Sequence, residues 1–141
     1  MMVATVLLSI GVTSITMSYL QCNRLVRESK ARQTAQQVLN YGEMLYPLPD
    51  PDKVSDDPLK NEQLNIPETK AENITKDLEL ELPRSVQEEL EGFVFERTVD
   101  EIDEETLQRN SNIYTVRTKV RWGTNSDDGG QEEVISFWRK R

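Results

Sequence analysis

The chain has no histidine and a single cysteine, Cys22, in 141 residues. Without histidine there can be no His-based acid–base pair, no Ser-His-Asp triad, no Cys-His nucleophile, and no zinc site built on His or several Cys. One cysteine closes no intramolecular disulfide, so redox compartment cannot be read from it; Cys22 reads as an inert packed thiol. Glycine is scarce, with six residues and no G-x-x-x-x-G-K run, so no phosphate-cradling loop is present. Basic residues are the minority, 17 Lys+Arg against 25 Asp+Glu for a net charge of −8. A sequence-independent grip on nucleic acid needs the opposite balance. These shortages point away from enzymes, cofactors and nucleic acid, and 16.3 kDa is one small domain.

Charge is strongly segregated. Mean hydropathy is −0.63 overall, yet residues 1–20 carry no charge: thirteen are apolar, six are Ser or Thr, and one is Gly11. As a helix they would span roughly 30 Å, the thickness of a bilayer's hydrocarbon core. Residues 21–46 hold Arg24, Arg27, Lys30 and Arg32 against Glu28 and Glu43, a net of +2. Residues 47–141 hold 13 basic and 23 acidic side chains, a net of −10. No basic n-region precedes the apolar run and no A-x-A site follows it, unlike a cleaved secretory signal. Gln21 before Cys22 is too large for a lipidation site. Length, lack of charge and lack of proline predict a membrane-inserted helix over residues 1–20.

Thr5, Ser9, Thr13 and Thr16 fall on one face of that helix. Such hydroxyls either let neighbouring helices approach and hydrogen-bond in lipid or satisfy their own backbone carbonyls. The candidate assembly residues are Val3, Thr5, Val6, Ser9, Ile10, Thr13 and Thr16. From Gln21 to Tyr46 there is no proline, and Ala31, Ala35, Val38, Gly42 and Leu45 form a narrow apolar seam, widened by Leu39 and Tyr46. One continuous helix of about 45 residues is expected, half apolar and half amphipathic (21–46), ended by Leu48-Pro49-Asp50-Pro51-Asp52.

Prolines 47, 49, 51, 58 and 67 mark residues 47–91 as an irregular acidic connector with little core of its own. Within it, Ser85-x-x-Glu88 reads as a capping box opening a short helix that Gly92 ends, while alternating Leu78, Leu80 and Leu82 allow a short extended segment. Asn73-Ile74-Thr75 fits a glycosylation pattern of low specificity. Residues 92–141 read as a three-strand antiparallel sheet. Phe93, Phe95, Arg97 and Val99 alternate with Val94, Glu96 and Thr98; Tyr114, Val116, Thr118, Val120 and Trp122 alternate with Thr115, Arg117, Lys119 and Arg121. After a turn at residues 123–130, Val134, Ile135, Phe137 and Trp138 form a closing strand. Such a sheet needs a cover, and the helix seam is its natural one. The expected contact set is Ala31, Ala35, Val38 and Leu45 against Phe93, Phe95, Tyr114, Val116, Val120, Trp122 and Phe137. The fold class is α+β.

This order, with the run Met2-Val3-Ala4-Thr5-Val6-Leu7-Leu8-Ser9-Ile10-Gly11 at one end and Ile113 to Trp122, a glycine turn and Glu133-Val134-Ile135-Ser136-Phe137 at the other, resembles type IV pilins and type II secretion pseudopilins. The C-terminal hairpin is similar to that of the minor pseudopilin I subunit and the V-type minor pilin. The resemblance spans about half the chain. It implies a structural subunit of the bacterial inner membrane, single pass with a periplasmic C-terminal domain. Its helix would assemble with other pseudopilins or pilins and an assembly platform, under prepilin-peptidase processing and N-methylation. The family's leader and glutamate would fall just upstream of Met1, so a truncated start is the expectation. The basic collar by itself would place the C-terminal side in the cytoplasm.

Other features have plainer readings. Asp100, Glu101, Asp103, Glu104, Glu105 and the pair Asp127-Asp128 match no EF-hand spacing and read as solvated loops rather than calcium sites or paired hydrolytic carboxylates. Trp122 and Trp138 are core residues or partner anchors. Two other classes remain open: a single-pass membrane protein whose acidic domain binds a partner, and a soluble helical protein with a buried N-terminus.

Overall fold

The computed structural model describes the backbone of residues 2–54, 57–101, 113–123 and 129–140, with side-chain surroundings from Ser9 onward except at residues 53 and 101. The chain divides into two compact units, Met1–Gln33 and Thr34–Arg141.

The first unit is formed by helix α1, which runs Met2–Leu45 and whose last residues belong to the second unit. No proline interrupts it and its stop comes before Pro47, where the missing donor and the restriction on the preceding residue end a helix. Every described side chain from Ser9 to Lys30 is exposed. Thr13 Oγ1 donates to the carbonyls of Ser9 and Ile10, Ser14 Oγ to that of Ile10 and Thr16 Oγ1 to that of Val12, at 2.8–2.9 Å. The hydroxyls thus satisfy themselves on their own helix. Arg32 and Glu28 form an i,i+4 ion pair at 2.9 Å.

In the second unit residues 34–45 lie over a four-stranded antiparallel sheet in the order β1-β2-β3-β4: β1 Ile66–Lys70, β2 Val94–Glu101, β3 Ile113–Trp122 and β4 Gly130–Arg139. The expected α+β architecture is present, with one strand more than expected. The additional strand, β1, lies in the stretch read as connector. Its IPETK sequence holds a proline and no alternating apolar run, so nothing in the period announces it. Proline is tolerated because β1 is an edge strand, and the register with β2 shifts between Ile66 and Thr69.

The connector also has more core than its composition suggests. Val54, Pro58, Leu64, Ile66, Ala71, Ile74 and Leu90 are buried. They are placed by Asx turns, in which Asp50, Asp57 and Asn61 side chains accept from the backbone N–H groups of Asp52, Leu59, Gln63 and Leu64. Val54 and Leu64 pack with Val99, Val116 and Trp138. Two short helices follow, α2 Ala71–Asp77 and α3 Arg84–Leu90. The Ser85–Glu88 capping box does not form. Pro83 is the N-cap, and Glu88 pairs with Arg84 at 3.2 Å instead. Leu78, Leu80 and Leu82 form no strand; the chain turns there through Glu79 at a φ of 53°. Gly92, at a φ of 84°, turns the chain from α3 into β2, a conformation that favours glycine.

Candidate assembly surfaces

The seam of α1 sits where its period puts it. Ala35 and Val38 are fully buried, Leu39 and Thr34 nearly so, and Ala31 and Leu45 are half-buried. Gly42 completes the buried stripe and meets the sheet at backbone distance: a Cβ at this position would overlap the Phe95 ring. Tyr46, just past the helix, stacks on the same ring with centroids 6.2 Å apart and planes at 23°. Close helix–sheet approach at Gly42 therefore seats Phe95, itself fully buried, as the centre of the contact.

On the sheet, Phe93, Phe95, Val116 and Val120 are buried as expected from the alternation. Tyr114 and Trp122 are half-buried; Trp122 stacks on Phe93 at 5.7 Å, and Tyr114 is tilted against Trp138 at 5.9 Å. Phe137 departs from the expected contact set. It is 73% exposed, while its neighbour Trp138 is buried. The cause is register. Tyr114 pairs with Trp138 and Thr115 with Phe137, so Trp138 shares the core face of Tyr114, Val116 and Val120 while Phe137 shares the outer face of Thr115 and Arg117. A one-residue phase choice within Phe137-Trp138 was open in the sequence, because both residues are aromatic. Trp138 also anchors the connector, its indole Nε1–H donating to the Pro49 carbonyl at 3.0 Å.

The residue that sequence reasoning underused is Arg97. The alternation places it on the apolar face of β2, and there it lies, 1% exposed. Its Nη1 donates to the carbonyl of Tyr46 at 2.6 Å and to that of Gln63 at 3.3 Å, and its Nε donates to Thr118 Oγ1 at 3.3 Å. The guanidinium carbon lies 5.8 Å from the Phe95 ring centroid. One planar fork thus joins the end of α1, the connector, β2 and β3. Burial pulls the Arg97 pKa below its ordinary value, opposed by the negative charge of Glu43. The signal available in the sequence was a charged residue at an apolar phase of the strand.

The first unit presents Ile10, Val12, Ile15, Met17, Tyr19, Leu20, Leu25 and Val26, each at least 55% exposed. Ser9, Thr13 and Thr16 are on the described helix, whereas the side chains of Val3, Thr5 and Val6 lie outside the described residues. Cys22 is exposed rather than packed. Among the described residues no helix is long and apolar enough to cross a membrane. Asp100 pairs with Arg117 at 3.4 Å; the side chain of Glu101 and residues 103–105 and 127–128, the rest of the acidic clusters, lie outside the described residues. Among those described, no group of three potential ligands could hold a metal ion. A cleft of about 550 Å³ between α2 and α3 is walled by mixed charge, including Glu72, Lys76, Arg84 and Glu88.

No protein-family pattern, characterised protein or solved structure matches this chain. What is established is an α+β chain in which a long N-terminal helix packs its end on a small antiparallel sheet, an arrangement compatible with a pilin-like fold.

Proposed function

We propose that this chain is a structural subunit of a pilin-like filament, a minor pseudopilin of a type II secretion system or a minor pilin of a type IV pilus, assembled through its N-terminal helix. The observation that carries the reading is the division of labour along α1. Residues 35, 38, 39 and 42 are buried against the chain's own sheet, whereas the apolar side chains from Ile10 to Val26 are solvent-facing in the isolated chain. Several large exposed apolar residues on one helix, with Arg24 the only charge among residues 10–26, are expected of a surface that another helix or lipid covers.

In this reading the helix sits first in the bacterial inner membrane, with the C-terminal domain in the periplasm, and then packs with the helices of neighbouring subunits. Six Ser and Thr among residues 1–20 lower its apolarity. Their hydroxyls add little penalty where they bond to carbonyls one turn back, as Thr13, Ser14 and Thr16 do. The partners are other pseudopilins or pilins, the assembly platform, and prepilin peptidase acting on a leader. The chain's own role needs neither catalysis nor nucleic acid.

A second reading rests on the basic collar of Arg24, Arg27, Lys30 and Arg32, which favours a cytoplasmic C-terminal side. The chain would then be a single-pass anchor whose acidic domain binds an unrelated partner. A photo-crosslinking residue in place of Ile15, introduced into the native protein in cells, separates the two. Filament assembly predicts crosslinks to the N-terminal helices of other pilin-like subunits; crosslinks to lipid alone would overturn it.

A further inference from the structure

Strand β4 ends the sheet order, so one of its edges has no strand beside it among the described residues. Edge strands are usually blunted by charge, proline or a bulge. The middle of β4, Val134-Ile135-Ser136-Phe137-Trp138, has no charge or proline, and its pairing to β3 runs without a shift from Ile113↔Arg139 to Trp122↔Gly130. Val134, Ile135 and Phe137 are 40%, 52% and 73% exposed. Charge is confined to the ends, with Glu133 on one side and Arg139 on the other.

That distribution is self-complementary. We infer that two copies of this chain join edge to edge through antiparallel pairing of β4 with β4, about a two-fold axis at Ser136. In this register Ile135 faces Phe137 of the second copy on the outer face, and Phe137 faces Ile135 in return. Val134 faces Trp138 on the core face. Glu133 faces Arg139 of the second copy, so two acid–base pairs form, one on each side of the axis. A shift by two residues sets Ile135 opposite Arg139 in one direction and Glu133 opposite Phe137 in the other, so each places an apolar side chain against a charge, which disfavours both alternatives. A parallel arrangement would set Glu133 beside Glu133. The contact is isologous and closes at two copies, giving a continuous eight-stranded sheet. The inference does not depend on the filament reading.

The test uses the full chain in mild detergent, with Cys22→Ser as background. Ser136→Cys places two thiols across the axis with Cα atoms roughly 5 Å apart, inside disulfide range; Gln131→Cys places them about 34 Å apart along the strands. Rapid oxidation to a covalent dimer at residue 136 and not at 131 is the expected result. Equal rates at both positions would overturn the register. Sedimentation gives the second measure. Glu133→Lys and Arg139→Glu each shift the chain toward monomer, and the double variant Glu133→Lys/Arg139→Glu restores the dimer. A wild-type chain that stays monomeric, or a double variant no more associated than the singles, would refute the inference.

Discussion

Arg97 is the most exacting place to perturb the second unit. Replacing it with methionine keeps most of the unbranched stem and removes the fork that holds the Tyr46 carbonyl at 2.6 Å, the Gln63 carbonyl at 3.3 Å and Thr118 Oγ1 at 3.3 Å. A hydrogen bond from a charged donor contributes about 1.5–3 kcal/mol, and an orphaned buried acceptor costs about 1–3 kcal/mol. The two longer bonds lie at the weak end of that range. Relief of the guanidinium's burial, the force that lowers its pKa, offsets part of the loss. The expected net cost of Arg97→Met is about 2–4 kcal/mol. Arg97→Lys keeps the charge but replaces the planar, pre-organised fork by a compact ammonium of shorter reach, so it should fall between. Urea unfolding of the full chain in mild detergent, followed through Trp122 and Trp138 fluorescence, measures both. A cost below about 0.5 kcal/mol for the methionine variant would refute the clamp. The pH dependence follows from the direction of the shift. Because the folded pKa lies below the unfolded one, the unfolded chain binds the proton more tightly, and stability would rise only as pH climbs from the folded value toward the unfolded one, far above neutrality. Near neutrality that contribution is flat. Wild type and Arg97→Met should therefore show parallel stability–pH curves there, and a difference in slope would contradict this assignment.

Gly42→Ala should cost about 1–3 kcal/mol, because a Cβ there overlaps the Phe95 ring; an unchanged midpoint in the same denaturation would place the helix farther from the sheet. Trp138→Ala should cost about 3–5 kcal/mol while Phe137→Ala, on the exposed face, leaves the isolated chain's stability within about 0.5 kcal/mol; the reverse order would mean β4 is paired one residue out of phase. Ile15→Arg should leave the unfolding midpoint of the second unit untouched but abolish retention in alkali-washed membranes, and retention equal to wild type would count against membrane insertion.

The sequence made α1 legible because one physical rule covers it: no proline from Met1 to Tyr46, and an apolar stripe whose spacing matched the residues later found buried. β3 was equally clear, since five apolar or small residues alternate with four wet ones. β1 was hidden because it is short, contains Pro67, and draws its partner from β2 rather than from its own pattern. The connector's core was hidden for a related reason. Its buried residues occur singly between Asx turns, so no periodicity links Val54 to Leu64 although both pack beneath Trp138. The Phe137–Trp138 phase could be decided only by the partner strand, since both side chains suit a core. Arg97 was visible at an apolar phase, but its meaning depends on carbonyls 34 and 51 residues away.

The central claim, membership of a pilin-like filament, meets its most direct test in the mature N-terminus of the native protein, read by mass spectrometry of the membrane fraction. The account predicts an N-methylated aromatic or apolar residue a few positions ahead of Met1, left by peptidase cleavage of a basic leader. A mature chain beginning at an unmethylated Met1 would contradict it and leave the membrane anchor with an acidic binding domain in its place.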